Sequence, residues 1–222
     1  MNIISKLQSK PMKKFNVFRI KAYIKLYKYL YGKISRIASK INNNIHPKHR
    51  LMNYHQFFID NIETNSNILD IGCGKGSLTY DLAKKARKVV AIDFDKNSIQ
   101  IAIKRFNKDN IRYIVGDATK YKFEEIFDYI ILSNVLEHIK NRSEFLNKVK
   151  KLGNYILIRV PMINRSWLPL YIKELGLDYK LDQTHFIEYT FDTFQEEMES
   201  TGLKILNYSI QFGEIWAKIG PN

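Results

Sequence analysis

Residues 68–76 read Ile-Leu-Asp-Ile-Gly-Cys-Gly-Lys-Gly, an apolar run that opens into three glycines at every second position. Glycines there let the backbone turn tightly and approach a ligand closely. Asp70 stands just before them. Asp93 follows Gly72 by 21 residues and closes the next apolar run, where a carboxylate can accept hydrogen bonds from ribose hydroxyls. A third run ends in Gly116-Asp117-Ala118, which supplies an acceptor for an adenine amino group. A fourth leads into Ser133-Asn134-Val135-Leu136-Glu137-His138-Ile139, and far downstream lies Thr184-His185-Phe186-Ile187-Glu188-Tyr189-Thr190. These last two segments hold the groups suited to taking a proton or binding a cation.

A glycine loop alone is weak evidence, because nicotinamide-dependent enzymes use a similar device. Three details favour S-adenosylmethionine (SAM) over a dinucleotide. The glycines are spaced Gly-x-Gly-x-Gly. Asp70 would repel a pyrophosphate but suits the ammonium of a methionine moiety. The Gly116-Asp117-Ala118 ending suits adenine.

On these motifs the chain resembles the class I SAM-dependent methyltransferases over roughly residues 50–219. The resemblance implies that Asp70, Gly72, Gly74 and Gly76 frame the methionine end of SAM, and that Asp93 holds the ribose. Phe94 would pack on the adenine face, with Asp117 and Ala118 at its edge. Asn134, just past the fourth strand, joins the cofactor-binding positions. The plain alternative is an ordinary strand-to-helix turn flanked by solvated strand ends. Cys73 reads as a small loop-packing residue rather than a nucleophile.

Methyl transfer chiefly requires that nucleophile and methyl group be held in line. A base is needed only when the nucleophile must lose a proton. In open α/β sheets ligands bind outside the carboxyl ends of the strands, so residues 133–139 are the place to look. Leu136-Glu137-His138 resembles the ubiquinone-pathway O-methyltransferases. It also resembles metal-dependent enzymes that methylate the terminal 2′-hydroxyl of small RNAs, where Glu-x-x-Glu-His and a later His hold a divalent ion. By that resemblance Asn134, Glu137, His138 and His185 make a mixed N/O site for Mg²⁺ or Mn²⁺. Asn134 stands where the first Glu would be and removes a carboxylate, so no metal ligand is assigned. Glu137, His138 and His185 are the candidate catalytic residues. Their plain alternative is helix capping and local packing. Arg159, Trp167 and Tyr171 suit an anionic or sugar-like acceptor, or simply pack a lid.

The elements that must position these residues follow from periodicity. Strands are expected near 67–71, 88–93, 111–116, 127–132 and 154–160. Helices are expected near 77–87, 96–107, 136–151 and 190–201. A closing strand pair covers 203–211 and 214–219, and 161–185 is left as a candidate lid. Such alternation predicts a doubly wound, mostly parallel seven-stranded α/β sheet, the Rossmann-like methyltransferase fold. An amphipathic helix is expected over 15–41, ended by Asn42-Asn43-Asn44 and His46-Pro47, with a second helix over about 48–62. This sets a basic helical extension (1–50) apart from a methyltransferase domain (51–222).

Charge divides the chain the same way. Of 36 Lys and Arg, 13 fall within residues 1–50, where there is no Asp or Glu; the remainder is nearly balanced. Such asymmetry points to an anionic partner. Three readings stay open: a cap helix over the SAM pocket, an amphipathic helix on an anionic membrane surface, and contact with nucleic acid. No RNA-binding motif is visible. The single cysteine, the absence of a secretory signal and the absence of a membrane-spanning run lead us to expect a cytoplasmic protein, peripheral at the membrane if the second reading holds. The function expected is methyl transfer from SAM to oxygen of a small-molecule or glycan- or lipid-linked acceptor. The alternatives are RNA 2′-O-methylation and a non-catalytic SAM-binding regulatory protein.

Overall fold

The computed structural model describes residues 10–43 and 45–221. Residues 1–9 and Asn44, which belong to the expected basic extension, lie outside the described residues. The described chain forms two compact units. One takes in the residues up to Asn53 together with Tyr171–Asp178; the other comprises Tyr54–Leu170 with the rest of the chain from Tyr179.

The larger unit is built on a seven-stranded sheet. Its strands are β1 (Asn67–Ile71), β2 (Lys88–Asp93), β3 (Ile111–Val115), β4 (Phe127–Ser133), β5 (Gly153–Pro161), β6 (Leu203–Gln211) and β7 (Glu214–Pro221). Their order is β3-β2-β1-β4-β5-β7-β6. Strands β1 to β5 pair in parallel, and β7 runs antiparallel to both β5 and β6. Fully buried runs such as Val89–Ile92 and Ile130–Leu132 explain the parallel core. Strands apolar on both faces must be covered by helices on both sides. Burying each such side chain is worth roughly 1.5–3 kcal/mol. Strand β6 is different: it is mostly exposed and carries Lys204 at the sheet edge.

The connecting helices are shorter than periodicity predicts. The expected helix over 48–62 is two, Lys48–Met52 (α2) and Tyr54–Asp60 (α3). Asn53 separates them in the left-handed conformation, φ +49°. The expected helix 77–87 stops as α4 (Ser77–Leu82), and 96–107 becomes α5 (Lys96–Arg105). The Asp95 carboxylate caps α5 by accepting from the Asn97 and Ser98 amides. The expected helix 136–151 is corrected most. Only a 3₁₀ turn, Leu136–His138, follows β4, and α6 (Arg142–Val149) begins after a break at Ile139. Ile139 is extended (ψ 124°), which removes the helical register that would have joined the two. The candidate lid contains a 3₁₀ turn, Ile163–Arg165, and α7 (Trp167–Glu174); the boundary between the two units falls inside α7. Helix α8 (Phe191–Ser200) starts on a reciprocal cap between Thr190 and Thr193.

The smaller unit is dominated by α1 (Lys10–Ile41), which begins five residues earlier than the periodicity implies. Within this unit Lys28 pairs with Asp178 at 3.1 Å, and Ser35 Oγ meets His46 Nε2 at 2.9 Å.

Candidate active site

The glycine loop leaves β1 and is pinned to the end of β2. The Gly72 amide donates to Ile92 O at 2.8 Å. Asp93 uses both oxygens: Oδ2 accepts from the Gly74 amide and Oδ1 from the Asp95 amide, each at 2.8 Å. The carboxylate assigned to a ribose therefore also clamps the loop, a role spacing alone does not reveal. All three glycines have positive φ. A Cβ on Gly72 would strike Val135 Cγ2 at 2.6 Å, and one on Gly76 would strike Ala102 Cβ at 2.8 Å. A Cβ on Gly74 would meet nothing within 4 Å. The loop thus packs on protein at its two ends and faces open space in the middle, as a cradle for a ligand requires.

Asp70 lies fully buried behind the loop and accepts from Thr79 Oγ1 at 2.6 Å. Burial pushes its carboxyl up to about 7, against the Thr79 hydrogen bond and with the added repulsion of Asp93. Such an acid gains most from a cationic partner. The Cys73 thiol is also pushed well up by burial and the nearby Asp70 and Asp93, so it is a packing residue with little thiolate character. Phe94 is 81% exposed just beyond β2, free to cover a planar ligand. At the end of β3, Asp117 accepts from the Thr119 amide at 2.9 Å and from its hydroxyl at 2.7 Å; neighbouring Ala118 packs on the core. Asp70, the glycines, Asp93, Phe94, Asp117 and Ala118 therefore lie along the carboxyl ends of β1, β2 and β3. These carboxylate acceptors and the open cradle fit SAM.

The second cluster stands at the carboxyl end of β4, tied to the loop by the Val135–Gly72 approach. Asn134 has φ +56°, and its amide donates to Arg159 O at 2.8 Å. Its side-chain Nδ2 donates to Glu137 Oε1 at 2.8 Å. Glu137 is fully buried, and burial raises its carboxyl to about 7. The Phe186 amide donates to Glu137 O at 2.8 Å, which docks the downstream segment on this turn.

The histidines His138 and His185, 47 positions apart in the chain, meet edge to face with ring centroids 4.7 Å apart. Thr184 Oγ1 donates to Asp182 Oδ1 at 2.8 Å and lies 2.9 Å from His138 Nδ1. Since its one proton goes to Asp182, it accepts from His138 Nδ1–H. His185 Nδ1–H faces Glu188 Oε1 at 3.3 Å. Glu188 also accepts from the Leu181 amide and pairs with Arg165. Burial alone would raise the Glu188 carboxyl, but the His185, Leu181 and Arg165 contacts hold it below its ordinary value. In its neutral form each ring would carry its proton on Nδ1 and offer Nε2 as the acceptor. Burial and the neighbouring His185 also lower the His138 pKa, favouring its neutral form.

One donor atom each of Glu137, His138 and His185 lie within 4.8 Å of one another. Asn134 Oδ1 and Glu137 Oε2 are buried without a hydrogen-bond partner. This oxygen-and-imidazole set, with both histidines oriented by outer partners, suits a divalent ion. Nearby Arg159 is 3% exposed, stacks 3.6 Å from the Tyr54 ring centroid and meets Glu214 at 3.5 Å, yet its Nε has no hydrogen-bond partner. Four of the five buried side-chain atoms lacking partners among the described residues belong to Asn134, Glu137 and Arg159, so polar capacity is concentrated at one place. The Tyr54–Arg159 pair carries no sequence signal, because its members lie over a hundred positions apart.

The sheet order, glycine cradle and acidic strand ends define a class I SAM-dependent methyltransferase fold. A family described as Methyltransferase domain matches residues 62–202, and the chain belongs to it. The chain is 39% identical over 93 residues to pavine N-methyltransferase of Thalictrum flavum subsp. glaucum, covering 40% of this chain and 26% of that protein. It is 29% identical over 187 residues to the mitochondrial ubiquinone biosynthesis O-methyltransferase of Dictyostelium discoideum, covering 77% and 51%. The chain thus spans a quarter to a half of these relatives. In fold it is similar to N-methyltransferase NodS from Bradyrhizobium japonicum, solved with S-adenosylhomocysteine (TM-score 0.58, 16% identity, covering 77% and 86%).

Proposed function

We propose that the protein transfers the methyl group of SAM to an oxygen of a small-molecule or glycan- or lipid-linked acceptor. The observation that carries this is the clustering of Glu137, His138 and His185 at the carboxyl end of β4 beside the glycine loop, with one donor atom of each within 4.8 Å of the others. SAM supplies the electrophilic methyl group. Asp70 favours its ammonium, Asp93 and the glycine loop hold its sugar and methionine portions, and Phe94 with Asp117 and Ala118 flank its adenine. His185, oriented by Glu188 through Nδ1, accepts the proton of the acceptor hydroxyl on Nε2. His138, oriented by Thr184, orients that hydroxyl. General-base action of this kind is worth roughly 10²–10⁴-fold.

A metal-assisted version is favoured by the unpartnered Glu137 and Asn134 oxygens. Glu137, His138 and His185, with Asn134, would hold Mg²⁺ or Mn²⁺, which lowers a hydroxyl's pKa. The test is methyl transfer from labelled SAM to a panel of hydroxylated small molecules and lipid-linked glycans, with and without chelator. His185→Gln is expected to lose at least a hundredfold in kcat while S-adenosylhomocysteine binding is retained. A His185→Gln variant of unchanged activity overturns the assignment of the base. Chelator sensitivity selects the metal-assisted version.

A further inference from the structure

Helix α1 carries ten Lys and Arg over Lys10–Ile41 and no acidic residue. Its side chains divide into three faces. Val17, Ile20, Ile24 and Ala38 are half-buried and form one of them. Tyr23, Tyr27, Leu30, Ile34, Ile37 and Ile41 form another, and every one of them is between 48% and 80% exposed. Their spacing alternates four and three, so they keep to one stripe along five turns of helix. Lys14, Lys21, Lys25, Arg36 and Lys40 lie on the third face, with Phe18 and Tyr29 among them, all exposed.

An apolar stripe of alternating four and three spacing is also what a coiled-coil seam presents. Here charge argues against self-pairing. A second α1 would bring another ten cations and no acid to the flanks where complementary pairs are needed, and like charges at those positions repel. No helix among the described residues is long and apolar enough to cross a membrane. A helix that cannot span, is basic on one side and exposes aromatic and aliphatic side chains on another fits the boundary between water and lipid. Tyrosine suits that depth, with an apolar ring and a wet hydroxyl. The basic face lies roughly 160° around the helix from the stripe, as on a surface-lying amphipathic helix, and the Arg19 and Lys33 stems beside the stripe reach up to phosphates.

We propose that α1 is a docking element for an anionic lipid bilayer. It lies in the plane of the surface with the Tyr23–Ile41 stripe among the acyl chains and the lysines against the headgroups. Each cation near an anionic surface strengthens partitioning by roughly fivefold, and salt weakens that share. The inference does not depend on which acceptor is methylated.

The test is co-sedimentation of the full chain with phosphatidylglycerol/phosphatidylcholine vesicles and with pure phosphatidylcholine vesicles, at low and high salt. Binding is expected to the anionic vesicles only and to fall at least tenfold at high salt. The double variant Lys21→Glu/Lys25→Glu should lose at least tenfold. Ile34→Ser/Ile37→Ser should weaken binding at both salt concentrations, since it removes the apolar share. S-adenosylhomocysteine binding, which reads the sheet domain, establishes that each variant is folded. Failure of the folded wild-type chain to sediment with anionic vesicles at low salt overturns the proposal. So does displacement from them by an equal mass of single-stranded RNA, which would assign the basic face to nucleic acid.

Discussion

Replacing Gly74 with alanine separates a ligand cradle from an ordinary turn. Gly74 has φ +53°, and the Cβ of an alanine there would touch no protein atom within 4 Å. The fold therefore bears only the cost of a left-handed alanine, ~1–2 kcal/mol. For a chain of this size that lowers Tm by about 2–8 °C. The cofactor would bear more, because the added methyl projects into the space through which the loop approaches it. Loss of a close backbone contact should weaken S-adenosylhomocysteine at least tenfold, ~1.4 kcal/mol. Gly76→Ala supplies the contrast. Its φ is +81° and its Cβ would lie 2.8 Å from Ala102 Cβ, so overpacking adds ~1–3 kcal/mol to the strain. Calorimetric titration and thermal melts of both variants read the two quantities separately. Gly76→Ala should lose more stability, and Gly74→Ala should lose affinity out of proportion to its stability. A Gly74→Ala protein that binds S-adenosylhomocysteine as tightly as the wild type would refute the assignment of the cradle.

The Asp70 carboxyl, raised by burial to about 7, should make cofactor binding pH-dependent. An ammonium selects the ionised form, so affinity falls as pH drops below about 7, by up to about tenfold per unit, and Asp70→Asn flattens the profile. In the free protein the same group is protonated on folding. Its contribution to stability is full below the unfolded value of 3.8 and lost as pH rises through about 7, which melts across that window will show. Cys73, whose thiol is pushed up by burial, should react with a disulfide reagent at neutral pH far more slowly in the native protein than in urea. Arg142 Nε holds Glu197 at 2.6 Å, and Glu197 also accepts from Tyr189 Oη at 2.5 Å. Arg142→Ala strands a largely buried carboxylate and should cost ~3 kcal/mol in denaturant unfolding.

Strands β1 and β2 were legible because they are apolar on both faces, so Asn67–Ile71 and Lys88–Asp93 fall where the periodicity puts them. The edge strand Ile111–Val115, with Arg112 and Val115 exposed, was marked by its β-branched and aromatic residues. Helix ends were less legible because single backbone conformations decide them. Asn53 at φ +49° cuts one helix in two, and the extended Ile139 stops the turn after β4 from growing into α6. The candidate site was legible where one segment carries its own chemistry, as in the glycine loop or Leu136-Glu137-His138. It was least legible where the fold makes the pair. Nothing in the chain announces that Arg159 stacks on Tyr54, or that Thr184 and Glu188 set the tautomers of His138 and His185.

Asn134 shows how a backbone constraint changes the reading of a motif. By sequence it is the place where a carboxylate is missing, which weakens the attraction for a hard cation. In the fold, residue 134 turns the chain from β4 into the 3₁₀ turn with φ +56°. Asparagine tolerates that conformation better than glutamate, its short amide being able to bond locally. Here the amide does so, donating to Glu137 Oε1 at 2.8 Å and leaving Oδ1 buried and unpartnered. The residue thus meets the backbone requirement and still offers an oxygen to the cluster. Asn134→Glu restores the charge but forces the larger side chain into the left-handed region and sets a second carboxylate beside Glu137. If the turn matters more than the charge, this variant will be less stable and less active than wild type with or without Mg²⁺. An increase in Mg²⁺-dependent activity would show instead that the missing carboxylate is what limits the site.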